Sequence, residues 1–176
     1  MCGIAGLIHR GKSSNVGEEL QHMLQALKHR GPDSTGYALY ANNDGQNFIL
    51  RFKVGENVGE GSTSVNEDES VYNERKKIVD KKLSELGAPI VKEEKLTPYS
   101  YRYEIKYDKD LMEFSKAVES IENVEILSIG KSLELIKDLG DANVVSERYG
   151  LNKVQGTHGI GHARMATESG VDIKSA

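Results

Sequence analysis

An α+β fold carrying an inserted α/β subdomain is what the sequence predicts, and three observations carry it. The hydrophobic period switches between two and about 3.6 residues along the chain, as short strands and amphipathic helices require. The two flanks are glycine-rich and hold every histidine. Between them, residues 66–152 hold 19 of the 27 acidic and 14 of the 23 basic residues and no histidine. Such a compositional break marks a differently built unit. The expected division is therefore 1–65 with 153–176 as one domain, and 66–152 as the insertion.

Residues 2–8 carry Ile4, Leu7 and Ile8 and read as a buried strand, with Gly3 and Gly6 permitting close backbone approach. Glu18 to Lys28 reads as a helix: Leu20, Met23, Leu24 and Leu27 recur at i, i+3, i+4 and i+7, and Glu18 and Glu19 suit the positive end of its dipole. Gly31-Pro32 stops it. Thr35 to Tyr40 reads as a strand, Asn42-Asn43-Asp44-Gly45 as a hairpin turn, and Phe48 to Val54 as the returning strand. In the insertion, Asp68 to Leu86 reads as a helix. Tyr99, Tyr101, Tyr103, Ile105 and Tyr107 alternate with polar residues, the clearest half-buried strand in the chain, read as a packing face. A helix from Asp110 to Ile121, a strand from Val124 to Ile129, a helix from Lys131 to Leu139 and a strand from Val144 complete a β-α-β-α-β run. That order suggests a small α/β or ferredoxin-like unit. After it, Thr157 to Arg164 reads as a strand and Met165 to Gly170 as the following loop.

Composition excludes several function classes. A net charge of −4 argues against a nucleic-acid surface, which shows a basic excess. No apolar run approaches the roughly 18 residues that span a bilayer. The start lacks a signal peptide's layout, and one cysteine forms no internal disulfide, so a cytoplasmic protein is expected. That lone cysteine is also a poor start for a metal site, and neither a structural metal nor a cofactor is expected.

Cys2 is the residue with chemistry. If Met1 is removed, one residue offers a thiol nucleophile and a free α-amine with a reference pKa of about 7.7–8.0, a nucleophile and its base together. Three stretches then stand in order: Met1-Cys2-Gly3-Ile4-Ala5-Gly6, His29-Arg30-Gly31-Pro32-Asp33-Ser34-Thr35-Gly36 and Gly161-His162-Ala163-Arg164-Met165-Ala166-Thr167. Together they resemble the class II glutamine amidotransferases, N-terminal-nucleophile enzymes that free ammonia from glutamine. The wording around Arg164 looks most like the glutaminase domains of glutamate-synthase-related proteins. The resemblance covers residues 1–54 and 153–170.

It implies the αββα sandwich of N-terminal-nucleophile hydrolases, with Cys2 as nucleophile and its amine as base. Arg30 and Gly31 would lie against the nucleophile, and Arg164 and Thr167 would hold substrate glutamine, Arg164 by its α-carboxylate. His162 reads as a packing histidine. A synthase subunit or domain would receive the ammonia. Two features depart from the family. The sequence has no Asn-Gly pair, which supplies the family's oxyanion hole, and Glu168 stands where many relatives have His. Only 12 residues follow Arg164, so the domain and its sheet are expected to be incomplete at the C-terminus. An incomplete sheet leaves an edge that needs a partner or promotes association, a homo-oligomer included. The alternatives are a non-catalytic glutamine-binding or assembly subunit, an inactive fragment of the domain, and an N-terminal-nucleophile amidase for another amide.

Overall fold

A computed structural model describes residues 2–31, 33–43, 45–55 and 68–165. Eight strands form two four-stranded antiparallel sheets, each in its own compact unit. No helix among the described residues is long and apolar enough to cross a membrane.

The first unit holds β1 (Gly3–Ile8), α1 (Val16–Ala26), β2 (Ser34–Ala41), β7 (Leu133–Leu139), α4 (Ala142–Tyr149) and β8 (Gly156–Arg164). Its sheet runs β1-β8-β2-β7. Helix α1 starts where the Asn15 side chain accepts from the Glu18 amide, and it buries Val16, Leu20 and Leu24. The space above Gly159 and Gly161 is filled by Leu20 and Leu24, so α1 lies on the face shared by Ala5, Gly159, Gly161 and Tyr37. Alternation sends Ile4, Ile8 and Ile160 to the opposite face, where they are 72%, 68% and 53% exposed. Beside this sheet, buried Asp138 accepts from Arg148 Nη1 at 2.9 Å and from the Tyr149 hydroxyl at 2.8 Å, which fastens α4 to β7.

The second unit holds β3 (Phe48–Lys53), α2 (Glu69–Leu86), β4 (Ile90–Thr97), β5 (Ser100–Ile105), α3 (Leu111–Glu119) and β6 (Glu125–Gly130). Its sheet order, β4-β5-β3-β6, with a helix after β3 and after β5, is the doubled split-βαβ arrangement. Asp68 caps α2 at its start and Gly87, at φ 73°, ends it in the left-handed conformation. Leu50, Phe52, Tyr101, Tyr103 and Ile105 pack with Val79, Leu83, Phe114 and Val118 in one core. The tyrosine strand is thus a packing face: Phe52 and Tyr103 meet edge to face at 5.0 Å, and the Tyr103 hydroxyl donates to Asp80 at 2.9 Å.

Four expectations are corrected. Strands β2 and β3 do not form a hairpin: β2 pairs with β7 and β8, and β3 with β5 and β6. The stretch read as a helix, 131–139, contains strand β7. Its burial of Glu134 and Asp138 beside Ile136 hides the alternation, and a short apolar run is ambiguous between the two periods. The Val144 strand is helix α4, because the Asp141 side chain accepts from the Asn143 and Val144 amides and Gly150 closes the other end at φ 63°. These caps outweigh the strand preference of two adjacent valines. The units therefore do not divide at 152, and β3 does not belong to the first. The second begins at Asn43, capturing β3, and closes at Lys131, leaving β7 and α4 to the first.

Candidate functional site

The site forms at one end of the β1-β8-β2 ladder. Strand β1 runs antiparallel to β8 with Gly3 opposite Ala163, so continuing the register by one residue sets Cys2 beside Arg164. On the other side of β8, Ser34 of β2 stands directly opposite Arg164. One row deeper lie Ile4, His162 and Gly36.

The third side comes from the chain after α1. A 3₁₀ turn, Lys28–Arg30, carries Arg30 and Gly31 across the sheet end. A Cβ placed on Gly3 would lie 3.1 Å from Leu27 Cβ and 3.4 Å from Arg30 Cβ. A Cβ placed on Gly31 would lie 2.5 Å from the Ala163 carbonyl carbon and from the Arg164 backbone nitrogen and carbonyl carbon. Gly31 has φ −176°, an extended backbone open to any residue, so close approach and not backbone strain is what glycine permits here. The Asp33 amide then donates to the Arg164 carbonyl at 3.1 Å, fixing the turn to the strand.

Four of the five residues expected at the site are thus brought together. Cys2 is exposed, Arg30 is exposed, Gly31 is buried between the turn and β8, and Arg164 is half-buried. Thr167, like Met1 and Glu168, lies outside the described residues. Arg164 carries the clearest chemical signal: its Nη1 is buried and has no hydrogen-bond partner among the described residues. A shielded guanidinium nitrogen lacking an acceptor is suited to a carboxylate, with which arginine forms paired, charge-assisted bonds. Cys2, one residue beyond the paired register, has an exposed free thiol.

Two further residues adjoin the site, His162, which the sequence reads as a packing histidine, and Ser34. His162 lines a groove of about 380 Å³ on the open face of the sheet, together with Ile4, Gly36, Ala38 and Ile160. Its imidazole lies over Gly36, where an added Cβ would come within 2.7 Å of Nε2. Burial first, then the Arg164 charge, holds its pKa below the usual histidine range, so the ring is neutral near pH 7. The alternation of β8 sends His162 to the same face as Arg164, a signal that was available. Ser34 is wholly buried, and its hydroxyl also lacks a partner among the described residues. Ser34 lies within the His29–Gly36 stretch that carries the resemblance, but that stretch assigns it no role. Among the described residues no group of three or more His, Cys, Asp or Glu is placed to hold a metal ion.

Residues 1–49 match a family described as a glutamine amidotransferase domain. The chain is 33% identical to a protein named "Putative glutamine amidotransferase" from Methanothermobacter thermautotrophicus, over 98% of this chain and 54% of that protein. It is 30% identical to the glutamine amidotransferase-like protein GlxB of Rhizobium meliloti, over 100% of this chain and 54% of that protein. The chain therefore spans about half the length of the curated relatives it matches, and in sequence it is glutamine amidotransferase-like.

Proposed function

We propose that this chain carries the nucleophile side of a class II glutaminase site, with Cys2 as an N-terminal nucleophile once Met1 is removed. The observation that carries the reading is the convergence of Cys2, Arg30, Gly31 and Arg164 from three separate parts of the chain at one sheet end. In this reading the Arg164 guanidinium binds the α-carboxylate of L-glutamine, and Thr167 is a further substrate-binding residue by the family resemblance. The bound amino acid then presents its side-chain amide to Cys2. The α-amine takes the thiol proton, and sulfur bonds to the amide carbon to give a tetrahedral oxyanion. The amine returns the proton to the leaving nitrogen as the C–N bond breaks, ammonia departs, and a γ-glutamyl thioester remains. Water adds to the thioester, glutamate leaves and the thiol is restored.

The exposed isoleucines of the open sheet face support an αββα arrangement, in which a second sheet would cover them. The relatives are about twice as long as this chain, which leaves length for such a layer and for an ammonia-accepting synthase domain or partner in a cytoplasmic enzyme.

The test is the full-length protein with glutamine and a thiol-reactive diazo-ketone analogue of glutamine. Intact-mass and peptide analysis is expected to show a chain lacking Met1 with one adduct on Cys2, blocked by excess glutamine. Cys2→Ala is expected to remove both the adduct and ammonia release. Ammonia release undiminished in Cys2→Ala refutes the proposal. Stabilisation by glutamine without any ammonia release would instead identify a non-catalytic glutamine-binding subunit.

A further inference from the structure

Ser34 and Arg164 form a directly opposed cross-strand pair in the β2-β8 ladder. Opposed residues of an antiparallel pair share one face, with Cβ atoms about 4.5–5.5 Å apart. Ser34 is 0% exposed, and both its Oγ and Arg164 Nη1 are buried without a hydrogen-bond partner among the described residues. Two polar atoms left unsatisfied on one face of the sheet are costly, since each gives up water without replacement. A hydroxyl and a guanidinium nitrogen can both donate. A ligand group with two acceptor oxygens and a negative charge answers both at once, and a carboxylate is that group.

We infer that Ser34 is a second substrate-positioning residue of this site, its hydroxyl donating to the same carboxylate that Arg164 grips. The inference rests on the glutaminase reading above and adds to it a specificity contact. Arginine alone attracts any anion. A hydroxyl fixed on the neighbouring strand selects a planar carboxylate in one orientation and thereby sets the direction of the rest of the amino acid. The low dielectric around the pair strengthens both bonds. Backbone contacts hold the geometry, because the Asp33 amide binds the Arg164 carbonyl at 3.1 Å and the Thr35 hydroxyl donates to the Gly140 carbonyl at 2.8 Å.

The test compares wild type and Ser34→Ala in the full-length protein. Because the hydroxyl has no partner among the described residues, Ser34→Ala is expected to unfold at the same temperature or higher. Its affinity for glutamine is expected to fall about tenfold to a hundredfold, the loss of one hydrogen bond to a charged group. The loss is expected in KM, with kcat unchanged. A glutamine analogue lacking the α-carboxylate, 4-aminobutanamide, is expected to show the same kcat/KM with both proteins. Glutamine binding equal to wild type overturns the inference. So does an equal loss with 4-aminobutanamide, or a destabilised free protein, since either assigns the hydroxyl a structural role. A wild-type protein that does not bind glutamine overturns the glutaminase reading and this inference with it. A wild type that binds while Ser34→Ala binds equally well overturns this inference alone.

Discussion

Replacing Gly31 with alanine probes the closest contact in the site. The new methyl would sit 2.5 Å from three backbone atoms of Ala163 and Arg164, whereas ordinary carbon contacts lie at about 3.5–4.0 Å. About 1 Å must therefore be made up. Strand β8 cannot supply it cheaply, because it is hydrogen-bonded to β1 on one side and β2 on the other. The 3₁₀ turn must yield instead, carrying Arg30 with it. Overpacking of this kind costs about 1–3 kcal/mol. For a domain of this size that lowers Tm by about 2–4 °C per kcal/mol. A displacement near 1 Å at a catalytic centre costs about a hundredfold in rate, so ammonia release is expected to fall more than stability does. Gly6→Ala is the matched control. Its methyl would meet nothing closer than the Gly159 carbonyl oxygen at 3.4 Å, and alanine in place of a strand glycine adds up to about 1 kcal/mol. Thermal unfolding and glutaminase assays on the full-length protein check both. A Gly31→Ala protein as stable and as active as Gly6→Ala would refute the steric argument.

Two further outcomes follow from local chemistry. Asp141→Ala removes the cap on the Asn143 and Val144 amides and the 2.7 Å ion pair to Lys28, and it is expected to cost about 0.5–2 kcal/mol in denaturant titration. Burial raises the Asp141 pKa, but the Lys28 contact and those amides outweigh it, leaving the carboxyl below its ordinary value. The stability Asp141 contributes is therefore full above its unfolded pKa near 3.9 and lost as pH falls through the folded value, a loss Asp141→Ala should not show. His162 acts in the same direction, in a higher pH window. Its pKa is lowered by burial and then by Arg164, so between the folded value and about 6.5 the unfolded chain binds a proton the folded chain does not. Stability is expected to fall as pH drops below about 6.5, and in His162→Gln this part of the pH profile should flatten. An unchanged profile would show that His162 does not titrate as its surroundings require.

The elements that local chemistry fixes were legible in the sequence. Asp68 and Asp110 announce helix starts through their side-chain caps, the leucine stripe sets the buried face of α1, and the tyrosine alternation sets the buried face of β5. The candidate nucleophile was also legible, because a cysteine at position 2 needs no partner to be noticed, and the Arg30-Gly31 and Arg164 stretches pointed to the rest of the site.

Non-local pairing was not legible. Whether 131–139 is a helix or a strand depends on β2 offering it an edge, and buried Asp138 is tolerable because Arg148 and Tyr149 reach it. The Asn42–Gly45 turn carried a hairpin signal, yet both edges of β2 are taken by β7 and β8, so β3 joins the other sheet and the unit boundary moves with it. Ser34 became visible only through register. Its hydroxyl, without a partner among the described residues, faces a strand 130 residues further along the chain that no pattern within its own strand names. The sequence by itself determined which residues can do chemistry and where single elements begin. Tertiary structure decided which of them share a sheet end, because strand partners are chosen by packing across long separations and not by neighbours in the chain.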